Sequence, residues 1–127
     1  MIQRPLSPHL QIYKPMLSMT MSIMHRITGV GMVVGVVGLV WWLSAASISD
    51  SYFALVQGFF YHWFGRLVLF GITWALLHHM LGGLRHFVWD TGRGFGLMQV
   101  EWLVRANLIG SILLTILLWI IAYWVRG

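Results

Sequence analysis

Twenty consecutive residues, Ala106 to Val125, carry no charged side chain. As a helix rising 1.5 Å per residue, such a run covers about 30 Å, the thickness of a bilayer's hydrocarbon core. A backbone at that depth must pair all its own polar groups, which selects helix over irregular structure. Two other segments have the same character. One has an uncharged core of 17 residues, Ile27 to Leu43, and reaches a full span if it begins near Ser22. The other runs from about Trp63 or Arg66 to Leu84 and contains His78 and His79. The expected fold is therefore an all-α membrane protein with transmembrane helices over about 22–43, 63–86 and 106–125, forming a single anchor domain over 1–127.

Composition supports a lipid solvent. Only 9% of the residues are charged, against about 25% in a soluble domain. The net charge of +5 would point to nucleic acid in a soluble protein. Here most basic residues flank the apolar segments, so membrane topology accounts for them and no nucleic-acid partner is expected. The eight tryptophans suit a lipid–water interface, and Trp41 and Trp42 mark the far end of the first span. Cysteine is absent, which excludes disulfides, thiolate catalysis, cysteine-held clusters and c-type haem within this chain. A b-type haem needs only histidine nitrogen and is not excluded.

Residues 1–20 hold Pro5, Pro8 and Pro15 and read as an irregular arm. They lack the apolar run of a signal peptide and the Arg-rich pattern of a transit sequence, and with Met1 they favour a bacterial protein. Arg4, Lys14, Arg26, Arg85, Arg93 and Arg105 fall on one side of the three-span topology, leaving Arg66 and Arg126 on the other. The positive-inside rule then places the N-terminus in the cytoplasm. Residues 44–58 read as a loop, with a short interfacial segment around Tyr52–Phe60.

Ionisable groups at membrane depth are costly and mark candidate sites. Ser22 and Arg26 are four apart and share a helical face. Together they could hold a carbonyl oxygen of a small polar headgroup; equally, Arg26 could reach out to lipid phosphates as one of an interfacial pair. His25 lies about 100° around the same helix. His79 and His86 are seven apart, on one face and separated by about 10 Å. That arrangement suits an amphiphile with its metal at His79 and its acid groups near His86. Gly82 and Gly83 could admit a flat macrocycle, or could simply allow close helix packing, with His79 bonded to a neighbouring helix. His78 points away from the His86 face and reads as a packing or hydrogen-bonding residue. Gly31 and Gly35 form a small-xxx-small pair expected at a close helix contact. His62 reads as interfacial, and His9 has no evident partner. The third span reads as the least chemically informative.

Three segments in order resemble one family. They are Arg4-Pro5-Leu6-Ser7-Pro8-His9-Leu10 followed by Ile12-Tyr13, Ser22-Ile23-Met24-His25-Arg26-Ile27-Thr28-Gly29, and His79-Met80-Leu81-Gly82-Gly83-Leu84-Arg85-His86 with Asp90. They are similar to the motifs of the cytochrome b556 anchor subunits of succinate dehydrogenase. The resemblance covers nearly the whole chain. It implies a non-flavin subunit, inactive alone, in a complex with a flavoprotein subunit, an iron–sulfur subunit and a second membrane anchor, seated in a bacterial inner membrane. It further implies His79 as one axial ligand of a shared haem b, His25 and His86 near the haem propionates, and Ser22 and Arg26 lining a ubiquinone site. No catalytic residue in the strict sense is implied. Arg85 and Asp90 are expected to order the cytoplasmic rim or to meet soluble subunits. The rival readings are a fumarate reductase anchor, a cofactor-free helical membrane scaffold, and a transporter subunit using the intramembrane histidines.

Overall fold

A computed structural model describes residues 12 and 14–126. Among them four helices follow in order: α1 (Leu17–Ile48), α2 (Asp50–Tyr61), α3 (Trp63–Asp90) and α4 (Leu97–Arg126). Three of these, α1, α3 and α4, are long and apolar enough to cross a membrane. The all-helical, three-span expectation holds. Most of the arm, including His9 and the Arg4–Leu10 segment, lies outside the described residues. Leu17–Thr20, read as part of that arm, are instead the first turn of α1. The helix opens directly after Pro15 and an extended Met16, because proline disfavours helical geometry in the residue before it but not in those that follow.

The chain turns sharply at both ends of α2. Ser49 is extended, and its hydroxyl accepts from the Tyr52 amide at 3.2 Å, capping α2. Asp50 in the first turn complements the positive end of the helix dipole. At the other end His62 is extended and begins α3. Gly65 packs directly on the Phe59 carbonyl, where a Cβ has no room. Side-chain bonds tie α2 back to α1: Trp41 Nε1 donates to Tyr52 Oη at 2.9 Å and Trp42 Nε1 to Gln57 Oε1 at 2.7 Å. The segment expected near Tyr52–Phe60 is thus a full helix, held by the two tryptophans that mark this end of α1.

The long helix α3 packs against α1 on one side and α4 on the other. Both pairs are antiparallel. Small residues set the first contact: a Cβ on Gly31 would sit 3.4 Å from Ala75, and one on Gly35 only 2.7 Å from Ile72. Close approach of backbones is how membrane helices gain contact where lipid provides no hydrophobic drive. Between α3 and α4 the turn runs through Gly92 (φ 76°) and Gly94 (φ 80°), a left-handed geometry that glycine adopts without steric cost.

Candidate functional site: three imidazoles at the α1–α3 crossing

The antiparallel register of α1 and α3 brings two residues of each helix into reciprocal contact. The imidazole of His25 lies where Gly82 has no side chain, and a Cβ at Gly82 would collide with it. The imidazole of His79 lies over Gly29, 3.1 Å from the position of a Cβ there. The two rings stack with centroids 3.9 Å apart and planes within 11°. His86, two turns after His79, brings its ring to 5.6 Å from His25 and packs edge-on against Trp89 at 5.2 Å. Three of the sequence-selected residues, His25, His79 and His86, therefore form one cluster. Among the described residues no three His, Cys or acidic side chains are placed to enclose a metal ion by themselves.

The hydrogen bonds fix the chemistry of His79. Its Nδ1 is 3.0 Å from the His25 carbonyl oxygen, which can only accept, so Nδ1 carries the proton. Thr28 lies 3.5 Å from the same nitrogen and donates its own hydroxyl to that carbonyl at 2.9 Å. Nε2 is left with its lone pair and makes no hydrogen bond within the described residues. A backbone carbonyl on Nδ1 is the support that metal-binding imidazoles use to hold tautomer and orientation. Stacking against His25 covers a face of the ring, not the Nε2 edge. Gly83, one turn on, has open space where a Cβ would stand. One free, oriented imidazole nitrogen, with open space at Gly83 one turn on, fits a ligand to a haem iron. The two glycines read together in the sequence thus differ: Gly82 receives an imidazole, and Gly83 is open.

His78 has a different environment. It is fully buried and faces α4, with Nδ1 3.2 Å from Ser111 Oγ. Ser111 donates to the Leu108 carbonyl at 2.9 Å and so accepts from His78. His78 is the hydrogen-bonding residue that the sequence indicated. Ser22 and Arg26 are exposed on α1 and make no hydrogen bond within the described residues. They sit beside the stripe of Met21, His25 and Thr28 that turns inward.

Sequence reasoning missed a polar seam between α3 and α4. Asn107, Ser111 and Thr115 are buried on one face of α4, the helix taken to carry least chemistry. Facing them on α3 are His78 and Arg85. Arg85 was expected at the rim, yet it is only 5% exposed, with its guanidinium 5.0 Å from the Trp89 ring. A signal was present: His78 and Arg85 are seven apart, like His79 and His86, and Asn107, Ser111 and Thr115 repeat every four.

At the α2 end, α1, α3 and α4 splay around a trough of about 770 Å³. Met32, Val36 and Leu39 line it from α1, and Leu69, Ile72 and Leu76 from α3. These positions continue, at helical spacing, the stripes that carry His25 and His79.

Three spanning helices with an oriented imidazole at the α1–α3 crossing define an integral membrane subunit. The chain belongs to the succinate dehydrogenase/fumarate reductase transmembrane subunit family, whose pattern it matches over residues 1–122. It is 42% identical over 120 residues to the succinate dehydrogenase cytochrome b556 subunit of Paracoccus denitrificans, covering 94% of this chain and 92% of that one. It is 39% identical over 118 residues to the corresponding subunit of Rickettsia conorii, covering 93% and 92%. The similarity extends to the mitochondrial cytochrome b560 subunit of Sus scrofa, 38% over 104 residues, with 76% and 59% covered.

Proposed function

We propose that this chain is the anchor subunit that carries one axial histidine of a haem b and part of the ubiquinone site in a succinate:quinone oxidoreductase. The observation that carries the reading is the state of His79, with Nδ1 bonded to the His25 carbonyl and Nε2 free. When bound, the haem supplies reversible one-electron chemistry beside the quinone site. His79 would hold the iron together with a histidine of the second anchor subunit. The trough that continues the His79 face seats that subunit against this one. His25 and His86 lie between the level of His79 and the end of α3, where they would hold the haem's acid groups.

Ser22 and Arg26 bind the quinone. The Ser22 hydroxyl donates to a carbonyl oxygen, and the Arg26 guanidinium stabilises the negative charge that grows there on reduction. Neither group is engaged elsewhere among the described residues, so neither must break an internal bond to do this. With the N-terminus in the cytoplasm of a bacterial inner membrane, this end faces the iron–sulfur and flavoprotein subunits. Electrons from succinate then arrive on the side where the quinone is held.

The test uses the assembled complex. His79→Ala should remove the low-spin, bis-histidine spectrum, and His78→Ala should keep it. The reverse result would transfer the ligand role to His78, and an unchanged spectrum in both would remove the haem from this chain. Ser22→Ala and Arg26→Leu should impair quinone reduction while succinate oxidation by an artificial acceptor continues. Normal quinone turnover in both variants would place the quinone elsewhere.

A further inference from the structure

Two ionisable residues of α3, His78 and Arg85, are buried without serving the haem and quinone reading; His78 is paired with Ser111, whereas Arg85 is not paired among the described residues. Its side chain is 95% removed from the surface, and its Nε and Nη1 are buried without a hydrogen-bond partner. The chain has three acids, Asp50, Asp90 and Glu101, and the single ion pair among the described residues is Arg105 with Glu101. The guanidinium lies over the Trp89 ring, 5.0 Å from Cζ, and the ionisable groups within its electrostatic reach are the imidazoles of His25 and His78, which carry no negative charge. On α4, the contacts of His78 with Ser111 and of Leu81 with Gly110 set the antiparallel register. That register puts Asn107 at the level of Gly82–Leu84, within one turn of Arg85. Asn107 is 4% exposed, and both atoms of its amide also lack partners. The seam around Arg85 therefore offers dipoles but no counter-charge. Taking a cation out of water without a partner is costly, and intramembrane charges kept at that cost are candidates for function by default.

Geometry limits what the charge can do. Arg85 follows His79 by six residues, about 9 Å along the helix axis and some 120° around it. It faces α4, away from the open surface at Gly83, so it is not directed at a ligand on the His79 face. Its field is not confined in that way. In a weakly polar interior a unit charge about 10 Å away is felt more strongly than in water, because a largely buried guanidinium is only weakly screened by water and salt.

We infer that Arg85 is a fixed buried positive charge that raises the reduction potential of the haem held by His79. The inference rests on the haem reading above. A cation near the haem favours the form with the added electron. Burial and local charge are among the levers by which a protein sets haem potential.

The test is a redox titration of the Soret band in the purified complex. Arg85→Gln should shift the haem midpoint potential downward, and Arg85→Lys should restore most of it. Asn107→Asp, which sets a carboxylate within one helical turn of the level of Arg85, should shift the potential the same way with the guanidinium in place. Asn107→Leu, which alters packing but not charge, should leave it near the parent value. Arg93→Gln, on the exposed turn, should do the same. If Arg85→Gln fails to assemble, the Asn107 pair decides the question alone. A bis-histidine spectrum with unchanged potential in Arg85→Gln, or equal shifts in Asn107→Asp and Asn107→Leu, would overturn the inference while leaving the haem reading intact. Absence of that spectrum in the parent complex would overturn both.

Discussion

His78 and His79 are neighbours in the chain, yet the two sides of α3 put them to opposite use. On the α1 side the contact is built from glycines and imidazoles, and one ring nitrogen of His79 remains free. On the α4 side His78 is enclosed, with Ser111 as its partner. The helix period alone produces the separation, since consecutive residues point about 100° apart. The contrast shows that an intramembrane histidine is defined by the face it occupies and by what the opposing helix leaves room for. A side chain against glycine keeps an edge open, whereas one against a serine-bearing stripe becomes part of the packing.

The sharpest way to break this comparison is to exchange the two roles. His79→Ala should abolish the bis-histidine haem spectrum, a complete loss, while His78→Ala should retain it. The second variant should still cost stability. It leaves a cavity and an unpaired Ser111 oxygen, with a penalty of about 1–3 kcal/mol in thermal unfolding of the detergent-solubilised complex. Next in size is the quinone end of α1. Arg26→Leu should lower quinone turnover on the order of 100-fold, the scale for losing a donor to developing charge. Ser22→Ala should lower it about 10-fold, and reduction of an artificial acceptor should be unaffected in both. The α1-side contact itself is probed by Gly82→Ala. The added methyl displaces the His25 ring, so the variant should lose about 1–3 kcal/mol through overpacking and show a perturbed haem spectrum. On the α4 side, Ser111→Ala should cost only about 1 kcal/mol, the usual scale for one interhelical hydrogen bond in a membrane, and leave the spectrum unchanged. Equal spectral effects from Gly82→Ala and Ser111→Ala would erase the distinction between the two faces. Smallest of all, Glu101→Gln removes an exposed i,i+4 ion pair and should change stability by no more than about 0.5 kcal/mol.

The spans were legible because their signal is local: an uncharged run long enough to cross a bilayer needs no partner to be recognised. The Gly31–Gly35 contact was legible for the same reason, since small residues at that spacing carry their meaning within one helix. The candidate ligand was legible only in part. Spacing separates His79 from His78, but the bond from Nδ1 to the His25 carbonyl joins residues 54 apart. It depends on a register between helices that no single-helix pattern contains. Gly82 shows the same limit, because its role is set by His25 on another helix. The inward turn of Arg85 was readable in principle from its spacing to His78. Its position at the end of an apolar run, where basic residues usually snorkel to the interface, argued the other way.

The reciprocal seating of His25 on Gly82 and His79 on Gly29 has a consequence for how such chains can vary. Each glycine is the missing volume that the opposite ring fills, so the four positions behave as two locks that share one key. A methyl group gained at residue 82 cannot be absorbed at residue 82; it must be answered at residue 25, on a different helix. Drift at these sites is therefore expected in pairs, and a chain that loses the second imidazole is free to regain a side chain across from it.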